Sequence, residues 1–158
     1  MAIMESTTKS LEEILKVFNN RKIIFGIDVD NCVTDTNPEI LKLANEMYCY
    51  PNHYYKKVLE RPLTEEDITD FDYEKCTPLD GYQVDELFHQ MVKKKRYLNL
   101  KLLPNALQFF NKLEKLYYFY FVTARPFDAE EQTFSNFIKN KMEKYHDRII
   151  IDGDKVKI

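Results

Sequence analysis

Tryptophan is absent from this chain of 158 residues, and glycine occurs only three times. The glycines, Gly26, Gly81 and Gly153, stand too far apart to form a phosphate-binding loop, so P-loop and dinucleotide-binding glycine motifs are excluded. No apolar run is long enough to cross a bilayer, and the N-terminus lacks the basic and apolar regions of a secretory signal. We therefore expect a cytoplasmic protein with no membrane partner.

Cysteines are few as well, and the net charge is small. Cys32, Cys49 and Cys76 are odd in number and have no CxxC spacing, which indicates reduced thiols rather than a disulfide or zinc framework. A net charge of −3 gives no electrostatic reason to bind nucleic acid. The basic run KKKR at residues 93–96 could meet a phosphate backbone, but such a run at a helix end is more often solvated. We expect no nucleic-acid partner.

The chain does contain an apolar run, IIFGI at residues 23–27, that ends in two carboxylates, Asp28 and Asp30. Its β-branched and aromatic composition predicts a strand buried on both faces, as in parallel sheets. Open α/β sheets bind ligands at the carboxyl ends of their strands. Neighbouring carboxylates repel each other unless a cation or a proton-transfer role compensates. A plain strand followed by a polar turn is the competing interpretation, and this segment alone does not decide between them.

Two further apolar runs also end in polar residues. The run YYFYFV at residues 117–122 is followed by Thr123, Ala124 and Arg125. A hydroxyl and a guanidinium at the end of a strand can both hold a phosphate oxygen. The competing interpretation is a threonine that merely ends the strand and an arginine in a surface ion pair. The run III at residues 149–151 is followed by DGDK. Three strands that end in such groups favour an ion-binding site over coincidence.

The order of the predicted elements is strand, long insertion, helix, strand, helix, strand. This order predicts an α/β fold with a Rossmann-like parallel sheet and helical crossovers. The insertion, residues 36–100, is too long for a loop and is interpreted as a small helical cap. Residues 1–35 and 101–158 then form the core. Apolar spacing predicts an additional amphipathic helix at residues 9–19.

Sequence signals predict where several helices begin. Asn37 and Pro38 predict an N-cap followed by proline at the first helical position. A second helix is predicted over residues 84–96, and a third follows Pro104. Asp128 and Glu131 resemble a capping box for a fourth.

The segment DVDNCV at residues 28–33 resembles the first motif of the haloacid dehalogenase (HAD) phosphohydrolase superfamily, with Cys32 in place of the usual Thr or Val. Thr123 matches the second motif, a strand ending in Thr or Ser. Lys155 is the best match to the lysine of the third motif, and Lys157 is the next best. Three longer segments resemble the 5'(3')-deoxyribonucleotidase-like branch: GIDVDNCVTD at 26–35, in which Asn31 replaces the usual Gly, LTEEDITDFD at 63–72, and VTARP at 122–126. The resemblance covers about residues 22–158.

This resemblance implies a shortened HAD-like fold and a magnesium-dependent phosphomonoesterase that acts on a nucleoside monophosphate or a similar small phosphorylated metabolite. Asp28 would attack phosphorus, and Asp30 would protonate the leaving oxygen and then deprotonate the hydrolytic water. Asp28 and the backbone carbonyl of Asp30 would hold Mg²⁺. The phosphate-binding residues would be Thr123, Ala124, Arg125 and Lys155.

The fourth motif of the superfamily, an acidic pair after a fourth strand, has no counterpart before Ile158. The first strand, central in the superfamily's sheet, would then be an edge, and we expect the helix at residues 9–19 or a second copy of the chain to cover the edge of strand 23–27. A second class of function also stays open. It is a catalytically impaired or truncated HAD relative that binds phosphate or a protein partner.

Overall fold

The structure is a computed structural model, and it describes residues 24–152. The predicted helix at residues 9–19 and the two candidate phosphate lysines, Lys155 and Lys157, lie outside the described residues.

The described residues form a mixture of helices and short strands. The strands are β1 (Ile24–Asp28), β2 (Thr34–Asp35), β3 (Lys101–Leu102), β4 (Tyr118–Thr123) and β5 (Ile149–Ile151). The α-helices are α1 (Asn37–Ala44), α2 (Tyr73–Cys76), α3 (Gly81–Lys93), α4 (Ala106–Leu113) and α5 (Glu130–Lys139). A π-helical turn, Asn45–Cys49, extends α1, and 3₁₀ turns occur at Glu65–Asp67, Arg96–Asn99, Phe127–Ala129 and Glu143–Arg148. Between residues 24 and 152 no helix combines the length and apolarity needed to span a membrane.

The main sheet is parallel and has the strand order β1-β4-β5. Its register places Asp28 beside Val122 and Thr123 beside Ile151, so the carboxyl ends of the three strands align. The backbone N–H of Asp152 donates to the Thr123 carbonyl at 2.9 Å and continues this alignment beyond β5. The predicted parallel sheet is confirmed, and its polar strand ends lie at one edge.

The prediction that the first strand is buried on both faces is wrong. Phe25 in β1 is 40% exposed, and Gly26 and Asp28 are exposed as well. In contrast, Phe119 and Phe121 in β4 are fully buried. The reason is topological: in the described part of the chain β1 pairs only with β4, whereas β4 has a neighbour on each side.

A second, two-stranded ladder closes the base of the insertion. Strands β2 and β3 are antiparallel and pair Thr34 with Leu102 and Asp35 with Lys101. The chain therefore leaves and re-enters the sheet region at adjacent points. This geometry agrees with the interpretation of residues 36–100 as a cap, which stays a prediction.

Buried apolar residues form two separate clusters. The first lies almost wholly within the insertion and includes Leu43, Met47, Leu87, Met91 and Tyr97. The second packs α4 and α5 against the sheet and includes Val29, Phe110, Phe119, Phe121 and Phe137. The second cluster also holds Val33, which anchors the chain that follows β1.

Several helix boundaries differ from the predictions. Thr36 is the N-cap of α1 and Asn37 is already helical, because the Asn31 side chain accepts hydrogen bonds from the N–H groups of both residues. Helix α3 begins at Gly81 rather than Val84, since Asp80 and Gln83 form a capping box. Helix α5 follows a 3₁₀ turn and has Ala129 as its N-cap, so the Asp128 capping box is wrong.

Candidate functional site

A hydrogen-bonded loop follows Asp28, the last residue of β1, and carries Asp30. The carbonyl of Val29 accepts hydrogen bonds from the N–H groups of Val33 at 2.9 Å and Thr34 at 3.0 Å. Asn31 occupies the left-handed region with φ 58°, which asparagine tolerates better than most residues. Because Val29 and Val33 are fully buried, the core fixes both ends of this turn.

Asp28 is the open carboxylate of the site. It ends β1 and is exposed, and its Oδ1 accepts a hydrogen bond from the Val29 N–H at 2.8 Å. Partial burial and then the negative charge of Asp30 raise the pKa of Asp28. Hydrogen bonds from the N–H groups of Val29 and Asp30, together with the charge of Arg125, partly oppose this rise. Asp28 thus has an oxygen available for a ligand.

Asp30 has the opposite environment, because four donor groups surround its carboxylate. The hydroxyl of Thr36 donates to Oδ1 at 2.6 Å, and the hydroxyl of Thr123 donates to Oδ2 at 3.1 Å. Arg125 adds Nη2 to Oδ1 at 2.7 Å and Nε to Oδ2 at 2.9 Å. This bidentate ion pair joins the loop after β1 to the end of β4.

Arg125 is enclosed on every side. Its side chain is 1% exposed, and its guanidinium lies 4.6 Å from the ring centroid of Tyr97. Nη2 also donates to the Thr34 hydroxyl at 3.0 Å, and Nη1 donates to the Thr133 hydroxyl at 3.2 Å. The structure therefore brings Arg125 to Asp30, with its guanidinium facing protein groups.

The remaining predicted phosphate groups lie at the end of β4. Thr123 is buried, and its hydroxyl accepts the Arg125 N–H at 3.2 Å while it donates to Asp30. Ala124 is exposed directly after the strand. The structure thus brings Asp28, Asp30, Thr123, Ala124 and Arg125 together.

Sequence reasoning did not identify four residues of this arrangement. Thr34 and Thr36 follow the acidic motif closely, and their alternation with Asp35 places both hydroxyls on the side of Asp30. Tyr97 and Thr133 carry no local signal, since they reach the site from the 3₁₀ turn Arg96–Asn99 and from α5.

The insertion touches the carboxylate loop through Tyr73. The Tyr73 hydroxyl donates to Asn37 Oδ1 at 2.7 Å, and the same oxygen accepts from Asn31 Nδ2 at 2.7 Å. Burial, followed by the charge of Asp30, raises the pKa of Tyr73 to about 12. The tyrosine is therefore a neutral donor at physiological pH. It ties the insertion to the loop that positions Asp30.

Part of the basic run has internal partners. Arg96 pairs with Glu39 at 3.1 Å and with Glu46 at 2.9 Å, and Lys94 lies 3.8 Å from Glu46. These contacts tie the end of α3 to α1 and its π-helical extension.

The chemistry of the donor set suits magnesium. An exposed carboxylate and a nearby backbone carbonyl are hard oxygen ligands, and Mg²⁺ completes its octahedron with waters and substrate oxygens. Within residues 24–152 there is no group of three or more His, Cys, Asp or Glu side chains placed to hold a metal ion. Asp28 and the carbonyl of Asp30 would be the protein ligands.

A scan against protein-family models finds no match to this chain, and a search of curated proteins finds no significant match. The residues and their geometry are therefore the basis for inferring a family and an activity.

Proposed function

We propose that the protein is a magnesium-dependent phosphomonoesterase of the HAD type, which acts on a small phosphorylated metabolite through an aspartyl-phosphate. The observation that supports this best is the unequal pair of carboxylates at the carboxyl end of β1. Asp28 is open and exposed, whereas Asp30 is held by Thr36, Thr123 and Arg125. A nucleophile and a fixed neighbouring carboxylate are what this chemistry requires.

Charge explains the need for the metal. A phosphate monoester is a dianion, so the Asp28 carboxylate approaches phosphorus only when a cation offsets the repulsion. When bound, Mg²⁺ supplies that charge and polarises a phosphoryl oxygen. The exposed backbone at Ala124 and the side chain of Lys155 would complete the phosphate site.

Two features of the fold support this proposal. A parallel sheet with its polar groups at the carboxyl ends, and an insertion directly after the first acidic strand, agree with a Rossmann-like HAD core and cap. The expectation that the substrate is a nucleoside monophosphate, and the acid–base role of Asp30, come from the resemblance and stay predictions.

Release of inorganic phosphate tests the proposal. Purified protein is incubated with acetyl phosphate, aryl phosphates, sugar phosphates and nucleoside monophosphates, with magnesium and with EDTA. We expect magnesium-dependent hydrolysis that Asp28→Asn abolishes. Asp35→Asn is the matched control, because Asp35 is an exposed carboxylate on β2 close in sequence to the site. Equal activity of wild type and Asp28→Asn would refute the mechanism.

A second candidate is a catalytically impaired relative that binds phosphate or a protein partner. The observation that favours it is that, in the part of the chain that the structure describes, no third His, Cys, Asp or Glu side chain joins Asp28 and Asp30 in a group placed to hold a metal ion. Calorimetric titration with inorganic phosphate and magnesium separates the two. Binding without turnover of any substrate supports this candidate.

A further inference from the structure

Tyr73 links the insertion to the acidic loop, residues 29–33, which joins β1 to β2. We propose that Tyr73 is a positioning residue for this loop. Its hydroxyl acts through the side chains of Asn37 and Asn31 and thereby aims the backbone carbonyl of Asp30. The insertion is then a working part of the site as well as a cover over it. The consequence for catalysis rests on the proposed function, whereas the consequence for the loop does not.

Backbone donors fix the direction of every hydrogen bond between Tyr73 and the loop. Asn31 Oδ1 accepts the N–H groups of Thr36 at 3.1 Å and Asn37 at 3.0 Å, and an N–H group can only donate. The Asn31 amide is therefore oriented with Nδ2 toward Asn37 Oδ1, to which it donates at 2.7 Å. The same Asn37 oxygen accepts the Tyr73 hydroxyl at 2.7 Å. One oxygen atom thus joins the insertion to the side chain that shapes the loop.

Asn31 sets the direction of the Asp30 carbonyl. That carbonyl and the Asn31 N–H belong to one planar peptide group, which is trans, as are all peptide bonds in residues 24–152, so the two groups point in opposite directions. The Asn31 N–H donates to the Thr34 carbonyl at 2.8 Å, while its side chain holds the start of α1. A shift of Asn31 would therefore turn the Asp30 carbonyl, which is one of the two proposed magnesium ligands.

Tyr73 is itself held by the core of the insertion. It is 8% exposed, and its ring meets the ring of Phe88 on α3 edge to face, with the centroids 5.9 Å apart. Tyr73 is also the first residue of α2, whose N-cap Asp72 accepts the Glu74 N–H at 3.2 Å. Because packing and capping fix the ring, a displacement of the insertion core moves the hydroxyl and, with it, its partner Asn37.

Amide hydrogen exchange tests the effect on the loop without reference to catalysis. Tyr73→Phe removes only the hydroxyl. Tyr48→Phe is the matched control, because Tyr48 is also buried in the insertion, but its hydroxyl donates at 3.1 Å to the carbonyl of Gln83, which lies within the insertion. We expect residues 29–37 to exchange up to about tenfold faster in Tyr73→Phe and at the wild-type rate in Tyr48→Phe. Exchange that is unchanged in Tyr73→Phe, or raised equally in both variants, would overturn the inference.

Magnesium dependence tests the effect on the site. Groups that orient a metal ligand contribute about 10–100-fold to metal affinity, so Tyr73→Phe should raise the magnesium concentration for half-maximal release of phosphate from an aryl phosphate about tenfold. In an Asn37→Ala background, which lacks the shared oxygen, Tyr73→Phe should add less than about twofold.

Two results would count against different claims. Factors that multiply in the double variant would show that Tyr73 does not act through Asn37, which overturns the inference and leaves the proposed function standing. A wild-type protein that releases phosphate from no substrate would overturn the proposed function, while the exchange rates of residues 29–37 would still decide whether Tyr73 holds the loop.

Discussion

At the scale of single residues, Asp28 carries a charge that the fold opposes. Burial and the charge of Asp30 raise its pKa, so the folded state disfavours the ionised form relative to the unfolded chain. This loss of folding free energy is absent below the ordinary carboxyl pKa, where Asp28 is protonated in both the folded and the unfolded chain. It is complete above the raised pKa of the folded state. Asp28 therefore destabilises the protein at neutral pH.

Asp28→Asn should consequently stabilise the protein, although the proposed mechanism expects the same variant to release no phosphate. Because the side chain is exposed and solvent screens its charge, we expect the free energy of unfolding at neutral pH to rise by less than about 1 kcal/mol. The gain should vanish near pH 3. Urea unfolding at both pH values measures it, with Asp35→Asn as the control. A variant less stable than wild type at neutral pH would show that the carboxylate contributes more through contacts than its charge costs.

The site residues that could be predicted are those that stand next to a recognisable strand in the sequence. Asp28, Asp30 and Thr123 directly follow apolar runs that predict strands. The direction of the Arg125 guanidinium could not be predicted, since it depends on Thr133 and on Tyr97, which reach the site from other elements. A guanidinium at a strand end can face a ligand or a carboxylate, and only tertiary structure decides between them.

At the scale of elements, the helices predicted within residues 24–152 and the strand at residues 149–151 are confirmed, whereas the two-residue strands were not predicted. The helix predicted after Asn37 and Pro38 is confirmed as α1, and Ile40, Leu41, Ala44 and Met47 in α1 and its π-helical extension are all buried. The β2–β3 ladder was missed, because a strand of two residues has no periodicity to detect. The exposure of β1 was missed for a different reason: apolar composition does not say how many neighbours a strand has.

Packing of α1 supplies a stability prediction at this scale. Leu43 on α1 is fully buried in the cluster of the insertion. Leu43→Ala should lower the free energy of unfolding by about 2–5 kcal/mol, because it removes buried methyl groups and leaves a cavity. Leu116→Ala is the matched control, since that leucine is 75% exposed and should change stability by no more than about 0.5 kcal/mol. Equal effects in chemical denaturation would contradict the assignment of α1 to a packed core.

At the scale of the whole molecule, the free edge of β1 is the feature that most needs an explanation. In residues 24–152 no strand pairs with β1 opposite β4, and β1 carries no lysine or proline to block pairing. A cavity of about 570 Å³ lies beside this edge and is lined by apolar residues that include Phe25, Ile27, Phe109 and Phe110. An apolar edge next to an apolar cavity favours association, so we predict that a second copy or the helix expected at residues 9–19 covers it.

Phe25→Lys distinguishes the two coverings, because it places a charge on the edge without removing a backbone hydrogen bond. If a second copy pairs with β1, sedimentation velocity shows a concentration-dependent dimer that Phe25→Lys dissociates and that the control Leu116→Lys leaves intact. If residues 9–19 cover the edge, the protein is a monomer, and Phe25→Lys lowers its free energy of unfolding by more than Leu116→Lys does. A monomer whose stability responds equally to both lysines would show that the edge is bare. The acidic motif would then stand at the end of an edge strand that pairs with β4 alone.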